Sequence, residues 1–240
     1  MKRVVVVAIA VGVLVVGGAL AWFYSSGNED PSTELTAPPI AASSASTSTV
    51  DSQPVETTST DEAPGAPTTF TIASSESMVS FALQEELRGV DTTVSGSTDQ
   101  VAGEILVDFD DPSASVLGDV VVNARTLETE SSNRTRTVRG AILDTDTFEF
   151  ITFSPTSIDG LPTEPTDSFT FTVTGDLTIR DVTRSVTFDV AVSGSEERLE
   201  GTASGVVNRN DFELVIPSVP FVANVSEEVT LTIDFVALPG

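Results

Sequence analysis

Between Ser168 and Val192 apolar and polar residues alternate strictly. Phe169, Phe171, Val173, Leu177 and Ile179 fall on odd positions, separated by Thr170, Thr172, Thr174, Asp176 and Thr178. After Arg180 and Asp181 the alternation resumes, with Val186, Phe188, Val190 and Val192 set between Thr187, Asp189 and Ala191. Period two is the signature of a strand buried on one side, because successive side chains leave a strand on opposite faces. The spacing predicts two long strands joined by a tight turn. Each carries an apolar face that must be covered by a second sheet or by closure of the sheet into a barrel.

The same pattern recurs from Phe70 to the C-terminus. It predicts strand at Phe70 to Ile72, Met78 to Glu86, Thr92 to Phe109, Val116 to Leu127 and Phe148 to Ile158. It continues at Ser168 to Arg180, Val182 to Val192 and Leu199 to Asn208, and closes with Val229, Leu231, Ile233 and Phe235. Ser131 to Leu143 lacks period two and reads as a short helix or an irregular crossing. No stretch of the region has the length and period of a long amphipathic helix, and no internal repeat appears. The expected class is all-β, an antiparallel barrel or sandwich of about eight long strands.

The N-terminal part is of another kind. Residues 1–3 carry Lys2 and Arg3, and Val4 to Tyr24 then runs without a charge. At 1.5 Å per residue this stretch is long enough to cross a hydrocarbon core of ~30 Å. Trp22 and Tyr24 lie at its far end, where amphipathic rings favour the interface. The flanking charges put the N-terminus in the cytoplasm and everything after it outside. Ala19-Leu20-Ala21 has the form of a signal-peptidase site, so cleavage is the competing reading, and both export the remainder. Residues 25–69 are rich in Ser, Thr, Pro and Ala, with Leu35, Ile40, Val50 and Val55 isolated among them. Such a segment cannot bury enough surface to offset its ordering entropy and reads as a disordered linker. The division is thus 1–3, 4–24, 25–69 and a β domain over 70–240.

Composition narrows the chemistry. The chain has no histidine and no cysteine, which removes imidazole and thiolate metal sites, disulfides and His-based acid–base catalysis. Its net charge of −25 repels a phosphate backbone, so nucleic acid is a poor partner and none is expected. Asp108, Asp110 and Asp111 form one acidic cluster and Asp144 with Asp146 another, but neither has the Gly and the terminal Glu of an EF-hand calcium loop. No nucleophile elbow is present, and acid pairs are too common in so acidic a chain to mark a glycosidase. The sequence gives no reason to expect a cofactor or a metal, and the protein reads as a non-enzyme.

Several stretches, taken in order, resemble a known family. The region opens with Val79 to Leu83, VSFAL, and Gly89 to Ser97, GVDTTVSGS. It continues with VVVNARTLET from Val120, NRTRTVRG from Asn133 and LDTDTFEFITF from Leu143. GDLTIRDVTRSVTFDV follows from Gly175, NRNDFEL from Asn208 and EEVTLTIDF from Glu227. In this order and spacing they resemble the YceI-like domain family over about Phe70 to Leu238. Where many members carry His-Gly, this chain has Arg180-Asp181. The resemblance implies an exported, eight-stranded lipocalin-like antiparallel barrel with one short helix or crossing segment, preceded here by the transmembrane helix and linker. It also implies a tunnel that binds an apolar, isoprenoid-like lipid.

If there is a tunnel, the residues on the apolar parity are the ones to line it: Phe81, Ile105, Val107, Phe109, Val120, Phe148, Phe169, Phe171, Phe188, Val190, Leu231, Ile233 and Phe235. The same residues also suit a solid core, in which case the domain is a structural or adhesion module displayed on a stalk. Arginine suits a phosphate or carboxylate head group at the barrel mouth. Arg134 and Arg139, in the crossing segment, are the candidates, with pairing to neighbouring acids as the alternative. The expected partners are therefore an apolar lipid and, through the N-terminal helix, the membrane.

Overall fold

The computed structural model describes residues 30–32, 35–40 and 66–240, apart from 165, 219 and 221. The expected membrane span and most of the linker lie outside these residues. Among the described residues no helix is long and apolar enough to cross a membrane.

The chain forms β1 (Thr68–Ile72), β2 (Met78–Leu87), β3 (Val90–Thr98), β4 (Val101–Ala102) and β5 (Glu104–Val107). Next come β6 (Val116–Leu117), β7 (Val120–Asn123) and β8 (Glu128–Thr129). A short helix α1 (Ser132–Arg136) runs on into a wider π-type turn at Thr137–Ile142. Then come β9 (Phe150–Asp159), β10 (Ser168–Ile179), β11 (Val182–Ser195), β12 (Arg198–Asn208), β13 (Val222–Ala223) and β14 (Glu228–Pro239). Every pairing between them is antiparallel, in one curled sheet ordered β4-β7-β9-β10-β11-β12-β14-β1-β5-β6.

The alternation of the central pair is realised residue by residue. Phe169 stands opposite Val192 and Val173 opposite Phe188, down to Ile179 opposite Val182 across the Arg180-Asp181 turn. Arg180 adopts φ +58° there. The stretch expected as one strand from Thr92 to Phe109 is broken at Asp99-Gln100 and again at Gly103. The second break joins the two ends of the sheet. Val101 and Ala102 pair with β7, while Glu104 to Val107 pair with β1. A β-carbon at 103 would come within 2.8 Å of Ile72 Cδ1, so glycine lets the bent strand lie against β1 without moving the Ile72 side chain.

Strand β14 divides the molecule along its length. Its C-terminal part pairs with β1, and its N-terminal part, Thr230 to Asp234, pairs with β2. One end of the curled sheet therefore carries the 108–115, 160–167 and 195–198 connections. The other end carries the Arg180-Asp181 turn, the β2–β3–β8 flap, α1 and the π-type turn. This second end is filled. Leu143, Leu177, Ile179, Val186, Val207 and Phe212 are all buried in the same core.

Residues 30–32 and 35–40 lie against the outside of the domain, although the sequence reads them as linker. Ala37 is buried against Ala102 and Val121, with Leu35 packed beside them.

Candidate functional site

The apolar faces of the strands meet at the filled end but not at the other. There they enclose a cavity of about 890 Å³. That is near the upper end of the range of ~300–1,000 Å³ seen for ligand sites. Its inner end lies at Val173, Phe153 and Phe188. The rings of Phe153 and Phe188 meet edge to face, with centroids 5.1 Å apart and planes at 80°. Together they form a floor between the hollow and the filled core.

The walls follow from the period-two rule. Phe169, Phe171 and Val173 come from β10; Phe188, Val190 and Val192 face them from β11; Ile233 and Phe235 come from β14. Ile105 and Val107 of β5, Phe109 just beyond it and Val120 of β7 complete that side. Ten of the thirteen candidate lining residues are thus brought to one hollow: Ile105, Val107, Phe109, Val120, Phe169, Phe171, Phe188, Val190, Ile233 and Phe235.

Three of the candidates lie elsewhere. Phe81 and Leu231 share the inward parity and pair across β2 and β14, but at the level of the flap, away from the cavity. Phe148 precedes β9 in a loop, not in a strand, and its ring lies 5.8 Å from the Arg180 guanidinium carbon. Parity selects the side of the sheet and says nothing of depth. Residues that the pattern did not single out include Ile72, Phe153, Val173, Val192 and Leu199. Val173 and Val192 continue the same alternation, so their signal was present.

Arg134 and Arg139 are not at the mouth. Both belong to the crossing at the filled end and neither lines the cavity. Arg134 Nη2 bonds the buried Glu85 Oε1 at 2.8 Å, and its Nη1 reaches Glu130 Oε2 at 3.5 Å. Arg139 Nε donates to the Leu127 carbonyl at 2.7 Å. Burial lowers its guanidinium pKa, partly offset by Glu128. Both arginines are bonded within the crossing and its neighbours, at the end away from the cavity.

The mouth itself is acidic. Asp108, Asp110, Asp167, Glu196 and Glu197 are among the residues around the cavity, and among the described residues no arginine or lysine is. Part of this acidity is structural. The Asp108 carboxylate accepts the backbone N–H groups of Asp110 (3.0 Å) and Asp111 (2.9 Å), which fixes the loop after β5. Among the described residues no group of three or more metal-ligating side chains is assembled. The arginines of the domain are segregated: Arg88, Arg125, Arg134, Arg136, Arg139, Arg180, Arg184 and Arg209 all lie toward the filled end. Only Arg198 stands near the mouth, and it bonds Glu76 at 2.9 Å and Glu200, on the outer face of β12.

The fold and the hollow define an all-β protein whose curled antiparallel sheet lines a mainly apolar chamber. The sequence matches the YceI-like domain family over residues 70–237, and the chain belongs to that family. The structure of BcnA from Burkholderia cenocepacia is similar, with TM-score 0.53 and 17% identity, covering 69% of this chain and 98% of that one. A structure described as a polyisoprenoid binding domain from Saccharophagus degradans aligns with TM-score 0.54 and 13% identity, covering 71% of this chain and 98% of that one. The Campylobacter jejuni YceI protein aligns with TM-score 0.51 and 19% identity, covering 60% of this chain and 84% of that one. At these identities the likeness is one of fold. No match was found among curated proteins.

Proposed function

We propose that this protein is an exported, membrane-tethered β-barrel that binds or carries an apolar, isoprenoid-like lipid in its interior cavity. The observation that carries the reading is the hollow itself. Most inward faces of β domains meet, whereas these stand apart around about 890 Å³ walled mainly by Phe, Val, Ile and Leu. Each methylene moved from water into such a space contributes about 0.8 kcal/mol, so a hydrocarbon tail needs no catalytic group to be held. The S. degradans structure is described as polyisoprenoid-binding, which supports the ligand class. The uncharged run Val4 to Tyr24, with Lys2 and Arg3 before it, supports a membrane anchor with the domain on the outer side. A bilayer is the natural source of such a ligand, and a tether keeps the domain beside it.

The test is native purification of the full chain from membranes, followed by solvent extraction and mass spectrometry. A stoichiometric co-purifying lipid, displaced by an added long-chain isoprenol, is the expected result. A protein that carries no lipid and takes up no apolar probe would leave only a β domain displayed on a linker.

A further inference from the structure

The exposed residues of the cavity lining, Asp110, Val116, Thr166, Asp167 and Ser193 to Glu197, all lie toward one end of it. Its inner end is shut by the Phe153–Phe188 pair and by the buried core beyond it. A single-tailed ligand whose tail lies against that floor leaves its polar end among these exposed loops, at the mouth. Three separate connections bring carboxylates there: Asp108 and Asp110 after β5, Asp167 before β10, and Glu196 and Glu197 between β11 and β12. Among the described residues the lining holds no arginine or lysine beside Asp167, Glu196 and Glu197, and the nearby Arg198 is already held by Glu76 and Glu200. Alternation along β12 turns Leu199 into the cavity and Arg198 and Glu200 away from it.

The acidity of the whole chain does not account for this arrangement by itself. A chain with evenly mixed charges would place several of its arginines around the opening, and here all those of the domain but Arg198 lie toward the opposite end. Carboxylates around a concave, low-dielectric opening focus a negative potential along the path a ligand must follow. Such a mouth favours a cationic polar end, tolerates an uncharged one and disfavours a carboxylate or phosphate.

We infer that the ligand is an amphiphile whose polar end is cationic or uncharged, and that the mouth carboxylates select against anionic lipids of the same tail. The inference rests on the lipid-binding reading above. It goes further by assigning the head-group class, and with it the role of Asp167, Glu196 and Glu197 as specificity residues.

The experiment uses the full chain and three probes with the same tail: dodecylamine, dodecanol and dodecanoate. Each competes at neutral pH with a fluorescent apolar dye. The expected order of affinity is amine, alcohol, acid, with the amine about tenfold or more tighter than the acid at low salt. In roughly 1 M salt, where the screening length falls to about 3 Å, the gap should narrow while alcohol binding changes little. The variant combining Asp167→Asn, Glu196→Gln and Glu197→Gln alters only exposed side chains. It should narrow the gap likewise without shifting the melting temperature. Equal affinities, or an acid that binds tightest, would overturn the head-group assignment and leave lipid binding intact. Failure of all three probes to displace the dye would overturn the lipid reading and this inference with it.

Discussion

Ser32 grips Glu149 twice. Its backbone N–H donates to Oε1 at 2.6 Å and its hydroxyl to Oε2 at 2.7 Å. Glu149 also accepts from Asn123 Nδ2 and Arg125 Nη1, both at 3.0 Å, and Arg125 Nη1 reaches the Asp30 carbonyl at 3.2 Å. Farther on, the Ile40 N–H donates to Glu104 Oε2 at 3.0 Å. A stretch with no hydrophobic period is thus held to the outside of the domain by two acceptor carboxylates and one small apolar residue, Ala37. Removing the charge at one acceptor should loosen it. Glu149→Gln is expected to speed hydrogen exchange of the Ser32 and Ile40 amides while amides of β10 and β11 stay protected. Unchanged protection at Ser32 would show that the carboxylate is not what holds the segment.

The same contact sets a pH dependence. Burial acts to raise the Glu149 pKa, but the Ser32 N–H and hydroxyl, the Arg125 charge and the Asn123 amide together bring it below the ordinary carboxylate value. A carboxyl depressed in the folded state stabilises it above its unfolded pKa and loses that contribution as pH falls through the folded one. Attachment of residues 30–32 and 35–40 should therefore be complete at neutral pH and fade below the usual carboxylate range of about 4. Limited proteolysis of the segment across an acid titration would read this directly. In Glu149→Gln the acid-dependent step should disappear.

Gly175 is where the floor of the cavity depends on the absence of a side chain. A β-carbon built there would lie 2.6 Å from both Phe153 Cζ and the Ser154 carbonyl oxygen. The register of β9 against β10 also shifts between Thr174 and Gly175. Gly175→Ala must move backbone, not just a flexible side-chain end, and should destabilise by about 1–3 kcal/mol. Because Phe153 would be pushed toward the hollow, apolar-probe affinity should fall as well. Denaturant melts and dye titration together check both effects.

Arg134 and Glu85 form a second test, in which stability and binding part company. Glu85 is only 8% exposed and Arg134 Nη2 lies 2.8 Å from it. Arg134→Ala leaves a buried carboxylate without its partner and should cost about 1–3 kcal/mol. Glu85→Gln in the same chain should recover part of that loss. Probe affinity should not change in either, because both residues lie outside the cavity lining. A large fall in affinity with unchanged stability would return Arg134 to the ligand.

Most of the sheet was legible because period two is a local property. Phe169, Phe171, Phe188 and Val190 announce their shared face with no tertiary knowledge. What stayed hidden depends on where a strand sits along the axis. Phe81 and Phe235 have the same parity, yet only Phe235 reaches the hollow, because β14 changes partner from β1 to β2 along its length. Phe148 looks like the start of a strand, but the chain reaches extended pairing only at Phe150. The attached residues 30–32 and 35–40 were illegible for another reason. They are held by backbone donors, the Ser32 hydroxyl and the isolated apolar side chains of Leu35 and Ala37 against a surface already formed, and such contacts leave no periodic trace. The arginines of the crossing were visible as a cluster. Their end of the molecule was not, since it follows from the topology of β9, β10 and α1.

The floor makes a prediction about tail length. Phe153 and Phe188 stand between the cavity and the buried core around Leu177 and Val186. Truncating either ring to alanine removes enough buried surface to cost about 3–5 kcal/mol, which threatens the fold. Phe188→Leu removes fewer atoms and should leave a folded protein with a hollow extended toward the far end. Along a strand the rise is about 3.3 Å per residue, so opening the floor by one inward position, two residues, deepens the chamber by about 7 Å. In competition with the apolar dye, a series of unbranched alcohols should therefore reach its affinity plateau at a longer chain in Phe188→Leu than in the unaltered protein. Their head group is the same throughout, so mouth electrostatics cancel from the comparison. If the plateau stays at the same chain length although Phe188→Leu is folded, the Phe153–Phe188 pair is not the stop, and the tail ends against some other wall.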